Sequence, residues 1–152
     1  MFNHYFCITK TSNWLQEQYR TADTIYKDFG KDLVVMFSGG TDSEIVIRAF
    51  KNIGINPKIA FVKFKNDYNL QDYEIADKIA RDLDLDLQVL DFDVKEFYNS
   101  GQAFEFASEL QCRQIAYLTV YHHIREIQFP AIMGGEMMLR RNTSPAGSKW
   151  YY

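Results

Sequence analysis

The chain has 152 residues, 47% apolar and 24% charged, with 17 basic and 20 acidic side chains and a formal net charge of -3. A chain of that length buries roughly two-thirds of its unfolded surface, enough for one core without disulfides or a structural metal, so residues 1–152 read as a single domain. Mild acidity with scattered basic residues speaks against a protein whose main business is gripping nucleic-acid phosphates or anionic membrane; weak contacts with RNA, tRNA included, stay open but without support from charge.

No apolar run approaches the roughly 20 residues of a membrane span, and the first ten residues lack the charged-then-apolar order of a signal peptide. Cys7 and Cys112 form no C-x-x-C pair and no zinc spacing with histidine. A reducing, cytoplasmic setting is the expectation.

Ser12 or Asn13 caps a predicted helix from Trp14 to Asp28, which reads as scaffold. Leu33 to Phe37 is an apolar run bounded by Gly30 and by Gly39 and Gly40, the mark of a fully buried strand. It leads into a predicted helix from Ser43 to Ile53, with Val46, Ala49, Phe50 and Ile53 on one face and Gly54 as the stop.

Ile59 to Phe64 is a second strand, and Leu70 to Leu83 a second amphipathic helix with Tyr73, Ala76, Ala80 and Leu83 inward and Asp72, Lys78 and Asp82 in water. The third strand, Leu87 to Phe92, follows alternating Asp and Leu positions and is expected near a sheet edge. Val94 to Ser108 and Cys112 to Gln128 read as two further helices. Pro130 to Met133 is a short strand ending in Gly134 and Gly135, and Asn142 to Lys149 is linker-like in its Thr, Ser, Pro and Gly content.

Strands alternating with helices imply an α/β fold, three layers α/β/α around a mostly parallel open sheet. In such sheets ligands bind beyond the carboxyl ends of strands, where the strand order reverses. The two glycine-terminated strands are natural lips for that crevice.

The segment Ser38-Gly39-Gly40-Thr41-Asp42-Ser43 lies between a buried strand and the first turn of a helix. Glycines there permit a tight turn and close approach to a ligand, while the free N–H groups of loop and helix start form a concavity of positive potential that suits a phosphate chain. Hydroxyls of Ser38, Thr41 and Ser43 add donors. Asp42, an odd neighbour for a polyphosphate, makes sense as a ligand of Mg2+. A second reading stays open for part of this segment: Thr41 and Glu44 fit the S/T-x-x-E capping box, which needs no ligand.

No G-x-x-x-x-G-K-[ST] or G-x-G-x-x-G pattern occurs. The hexapeptide instead resembles, residue for residue, the SGGxDS signature of the PP-loop ATP pyrophosphatases, or adenine nucleotide alpha hydrolases. The resemblance extends as an order of elements from about Asp32 to Glu136. It implies that the loop binds the pyrophosphate part of ATP and that AMP passes to an acceptor, for attack by an amine, ammonia or sulfur. Such an enzyme is an AMP-forming ligase or transferase. Loop N–H groups and magnesium suffice to stabilise a leaving pyrophosphate.

By the same resemblance, the end of the second strand, here Phe61, Val62 and Lys63 with Phe64, contacts adenine mainly through its backbone; the alternative is that these residues are ordinary strand core. Arg113 matches the family's basic residue before the fourth strand and Gly134 the glycine at that strand's end. Ser38, Asp42 and Arg113 are then the catalytic candidates, with Asp42 and Glu136 as magnesium ligands. Arg140 and Arg141 are candidate substrate clamps.

Working members usually carry a substrate-recognition portion after the fourth strand, whereas this sequence ends soon after Glu136. The expectation is either a longer protein, with Lys149 to Tyr152 opening another strand, or a homo-oligomer or partner subunit that completes the site. Two readings accompany the enzyme: a non-catalytic nucleotide-binding or regulatory module, and a phosphoadenylylsulfate reductase-like sulfur enzyme using Cys112, whose thiol otherwise reads as core. His122-His123 lacks H-x-x-x-H or H-E-x-x-H spacing and does not read as a metal site. Asp82-x-Asp84-x-Asp86 lacks the glycine and closing glutamate of a calcium loop and reads as a solvated edge.

Overall fold

The structure is a computed structural model that describes residues 12–112, 117–127, 129–134, 140–144 and 147–151. Helix α1 (Trp14–Phe29) leads to β1 (Val34–Met36), α2 (Thr41–Asn52), β2 (Lys58–Phe64), α3 (Leu70–Asp82) and β3 (Leu87–Phe92). Then follow α4 (Val94–Asn99), α5 (Gln102–Leu110), α6 (Leu118–Glu126), β4 (Ala131–Met133), β5 (Arg140–Ser144) and β6 (Gly147–Tyr151). Among the described residues no helix is long and apolar enough to cross a membrane.

Strands β1 to β4 form one parallel sheet in the order β3-β2-β1-β4. Strand β3 is an edge, as its charged alternation predicts. Strand order reverses at β1, which pairs with β2 on one side and β4 on the other, with Met36 opposite both Ala60 and Met133. The crevice expected from the two glycine-terminated strands therefore lies between neighbours.

Alternation along the strands assigns each face to a helical layer. Val35, Ile59 and Phe61 pack with Ala22 of α1, Ile47 and Phe50 of α2, and Ala76 and Ala80 of α3. Val34, Met36 and Ala60 turn to the other face, against Val120 and Ile124 of α6, while Phe92 packs on Phe97 and Phe106 of α4 and α5. Ile47 and Phe50 have relative exposures of 0% and 1%, and each such side chain contributes about 1.5–3 kcal/mol of burial. The three-layer α/β/α architecture is the expected one.

Helix α1 begins where the cap predicts: Asn13 Oδ1 accepts the Gln16 amide at 2.9 Å, while Ser12 bonds Glu17 through both its amide and hydroxyl. Three expectations are corrected. The predicted helix from Val94 to Ser108 is two helices, because Gly101 takes a left-handed φ of 88° that ends one and starts the other. Cys112 does not start a described helix; it follows α5, its amide bonding the Ala107 carbonyl at 2.9 Å. The linker-like stretch 142–149 falls largely in an antiparallel pair, β5 with β6, in which Ser144 stands opposite Gly147. One strand carries Thr143 and the other Trp150 and Tyr151, residue types that favour extended backbone.

Candidate nucleotide-binding site

A cavity of about 380 Å3 opens at the carboxyl ends of β1, β2 and β4 on the α6 side of the sheet. Its floor is Met36, Ala60, Val62 and Phe64. One wall is the loop through Ser38, Gly40, Thr41, Asp42 and Ser43, and another is Tyr117, Thr119 and Val120. Gly134 closes the side next to β4, and Asn69 and Asp72 stand at the α3 side.

Hydrogen bonds centred on Ser43 hold the loop. Its side chain is buried, and Oγ donates to the Gly40 carbonyl at 3.0 Å while accepting the Ser38 amide at 3.3 Å. With that proton committed, the Ser38 hydroxyl donates to Ser43 Oγ at 3.1 Å, and Ser38 Oγ accepts the Gly40 amide at 3.3 Å. Both hydroxyls thus shape the loop in this state. Thr41 is exposed at its rim.

The capping box does not form. Gly40 is the N-cap of α2, Thr41 is already its first residue, no side chain caps the helix, and Glu44 pairs with Arg48 at 2.6 Å. The first-turn amides of Thr41, Asp42 and Ser43 carry the orphan donors of any helix start, and they stand at the positive end of the α2 dipole. A glycine cap brings no side-chain oxygen to compete with an anion there.

The glycines divide into different tasks. Gly39 has φ 78°, and a Cβ on it would lie 2.6 Å from the Asp72 carbonyl oxygen, so this glycine lets the loop press on α3. It is not part of the cavity lining. Gly40 has ordinary extended backbone, and a Cβ there would meet only Ser38 Oγ, at 3.3 Å. A Cβ on Gly134 would lie 3.0 Å from the Ser43 amide nitrogen, so β4 abuts the first turn of α2.

Of the other sequence candidates, Phe61 and Val62 line the cavity. Lys63 turns away, its Nζ 4.7 Å from the Tyr73 ring centre and 3.6 Å from Asp67 Oδ1. Arg113 and Glu136 lie outside the described residues, and Arg140 and Arg141 open β5. Cys112 packs half-buried against the Phe92 and Phe97 cluster, away from the cavity lining.

Sequence reasoning missed Asn69 and Asp72 as lining residues. Asn69 looks like an N-cap, but its Oδ1 accepts the Phe64 amide and its Nδ2 donates to the Val62 carbonyl, both at 2.8 Å. It closes the backbone of β2 beyond the end of β1. Only its type, a polar residue before a helix, was visible in the sequence. Asp72 and Asp42 are the two acidic residues among the described residues lining the cavity, and carboxylates are the oxygen donors that suit Mg2+ beside phosphate.

No family model matches the sequence, and no curated protein matches it either. Among solved structures, the NMN synthetase from Francisella tularensis superposes with a TM-score of 0.53 at 16% identity, over 80% of this chain and 54% of that one. The NH3-dependent NAD synthetase from Campylobacter jejuni, solved with a nitrate ion, gives 0.50 at 14% identity, over 77% and 51%. The chain spans about half the length of each. The parallel sheet in this strand order, its flanking helices and these two likenesses establish that the chain shares the α/β fold of these two synthetases, the architecture that the Ser38–Ser43 motif leads one to expect.

Proposed function

We propose that the chain binds ATP in this cavity and cleaves it between the α and β phosphates, transferring AMP to an acceptor and releasing pyrophosphate. The observation that carries this reading is the junction of loop, helix start and Gly134 at the crevice where strand order reverses. There the α2 amides converge on one end of a cavity whose other end is apolar. An adenine fits the apolar end, between Ala60 and Val62 below and Val120 above, and the phosphates fit the loop.

Asp42 and Asp72 would hold the magnesium ion. When bound, it neutralises charge on the phosphates and on the leaving pyrophosphate. The α2 amides are preorganised for the same charge and need no reorientation at the moment of reaction. Since Ser38 and Ser43 are committed to the loop, the attacking group belongs to the acceptor. Phosphorus NMR after incubation with ATP, magnesium and a panel of carboxylate and amide acceptors tests this. AMP and pyrophosphate are expected; ADP and orthophosphate would overturn the mechanism.

A second reading, a nucleotide-binding module without turnover, is favoured by one observation: among the described residues lining the cavity, none is Lys or Arg. Calorimetry separates the readings. ATP binding that survives Asp42→Ala, with no turnover for any acceptor, supports the module. Binding and turnover that both fall with Asp42→Ala support the enzyme.

A further inference from the structure

On α6, away from the nucleotide cavity, His122, His123 and Glu126 each bring one ligand atom into a group whose members all lie within 4.8 Å of one another. The helix explains the grouping, since Glu126 is four residues after His122 and three after His123 and so stands over both. His123 has a relative exposure of 8%, and His122 Nδ1 and His123 Nε2 are both buried with no hydrogen-bond partner.

Orphaned buried nitrogens are costly and uncommon, and an unseen ion is one of their few explanations. Packing alone does not account for them. The His122 ring lies 5.2 Å from Phe97 and 5.6 Å from Phe106, and the His123 ring 4.9 Å from Phe92. A phenyl ring would fill those places with no polar atom to desolvate.

The surroundings suit a cation. His122 and Glu126 line a cleft of about 300 Å3 shared with Glu105 and Glu109. Arg125, the one Lys or Arg among the described residues lining the cleft, is paired with Glu109 at 2.7 Å.

We propose that His122, His123 and Glu126 bind a divalent first-row transition metal of the zinc class, with solvent from the cleft completing its shell. Two imidazoles and one carboxylate favour zinc over magnesium or calcium, which take oxygen ligands.

The test is calorimetric titration of the full chain, carrying no histidine tag, with zinc chloride and separately with magnesium chloride. One zinc per chain is expected, with magnesium failing to compete. Glu126→Gln, an exposed position that leaves the core intact, should weaken zinc binding about tenfold or more, at least the cost of losing an outer-shell partner. His122→Asn should do the same, and cobalt substituted for zinc should show visible bands that the variants lose. No saturable zinc binding, or affinity unchanged in both variants, would overturn the proposal, the latter by placing the metal elsewhere in the chain.

Discussion

Gly134 and Ser43 are 91 residues apart in the chain, yet a Cβ on Gly134 would lie 3.0 Å from the Ser43 amide nitrogen. The end of β4 thereby fixes where the first turn of α2 can stand. Gly134→Ala is expected to displace that turn and to cost about 1–3 kcal/mol, the range for forced overpacking. Thermal melting and ATP titration should both register it. A variant with unaltered melting and unaltered ATP affinity would contradict this contact.

Gly39 and Gly40 offer a sharper separation of folding from binding. Gly39→Ala puts a methyl group against the Asp72 carbonyl in a left-handed conformation, and a loss of about 2 kcal/mol or more is expected. Gly40→Ala meets only a movable hydroxyl. Its stability cost should stay near 1 kcal/mol, the scale of an altered N-cap, while ATP affinity falls about tenfold or more as the methyl enters the phosphate loop. Equal effects of the two substitutions on binding and stability would contradict this division of roles.

Ser43 is the internal clasp of the loop. Ser43→Ala removes the acceptor of the Ser38 amide and the donor to the Gly40 carbonyl, and about 1–3 kcal/mol is expected to be lost with buried groups left unpaired. Hydrogen exchange at residues 38–43 should quicken. Unchanged exchange in the alanine variant would contradict the clasp.

Stability in the presence of a chelator should depend on pH through His123. Its folded pKa lies below the unfolded value, so the unfolded chain takes up a proton first as pH falls. The contribution is therefore present above the unfolded value of about 6.5 and is lost as pH falls through it. Melting temperature should drop between about pH 7.5 and about pH 5.5 by more in the parent than in His123→Leu. His122 and Glu126 face the same ring and stay in both proteins. An identical drop in the two would contradict the assignment.

Much of this arrangement could be read from residue order, because it depends on local chemistry. Two short apolar runs, each ending in paired glycines, marked β1 and β4 and with them the crevice between. The Asp and Leu alternation before β3 marked an edge. What escaped depended on contacts across the fold. The apolar period of residues 94–108 runs straight through Ser100 and Gly101, so the break between α4 and α5 is invisible until Gly101 takes its left-handed turn. Thr41 and Glu44 match a capping pattern, but the glycine before them takes the cap. Asn69 stands at the N-cap of α3, but its side chain bonds back to β2 instead of capping the helix. His122 and His123 lack familiar metal spacing; Glu126 and burial join them into a group.

Phosphate binding by the β1–α2 loop would be visible in a crystal structure with magnesium and an ATP analogue that cannot be cleaved between the α and β phosphates. The expected result is β and γ phosphates against the amides of Thr41, Asp42 and Ser43, with the base beneath α6 beside Val62. A nucleotide bound elsewhere, or one with its base at the loop and its phosphates beneath α6, would rule out phosphate binding by this loop.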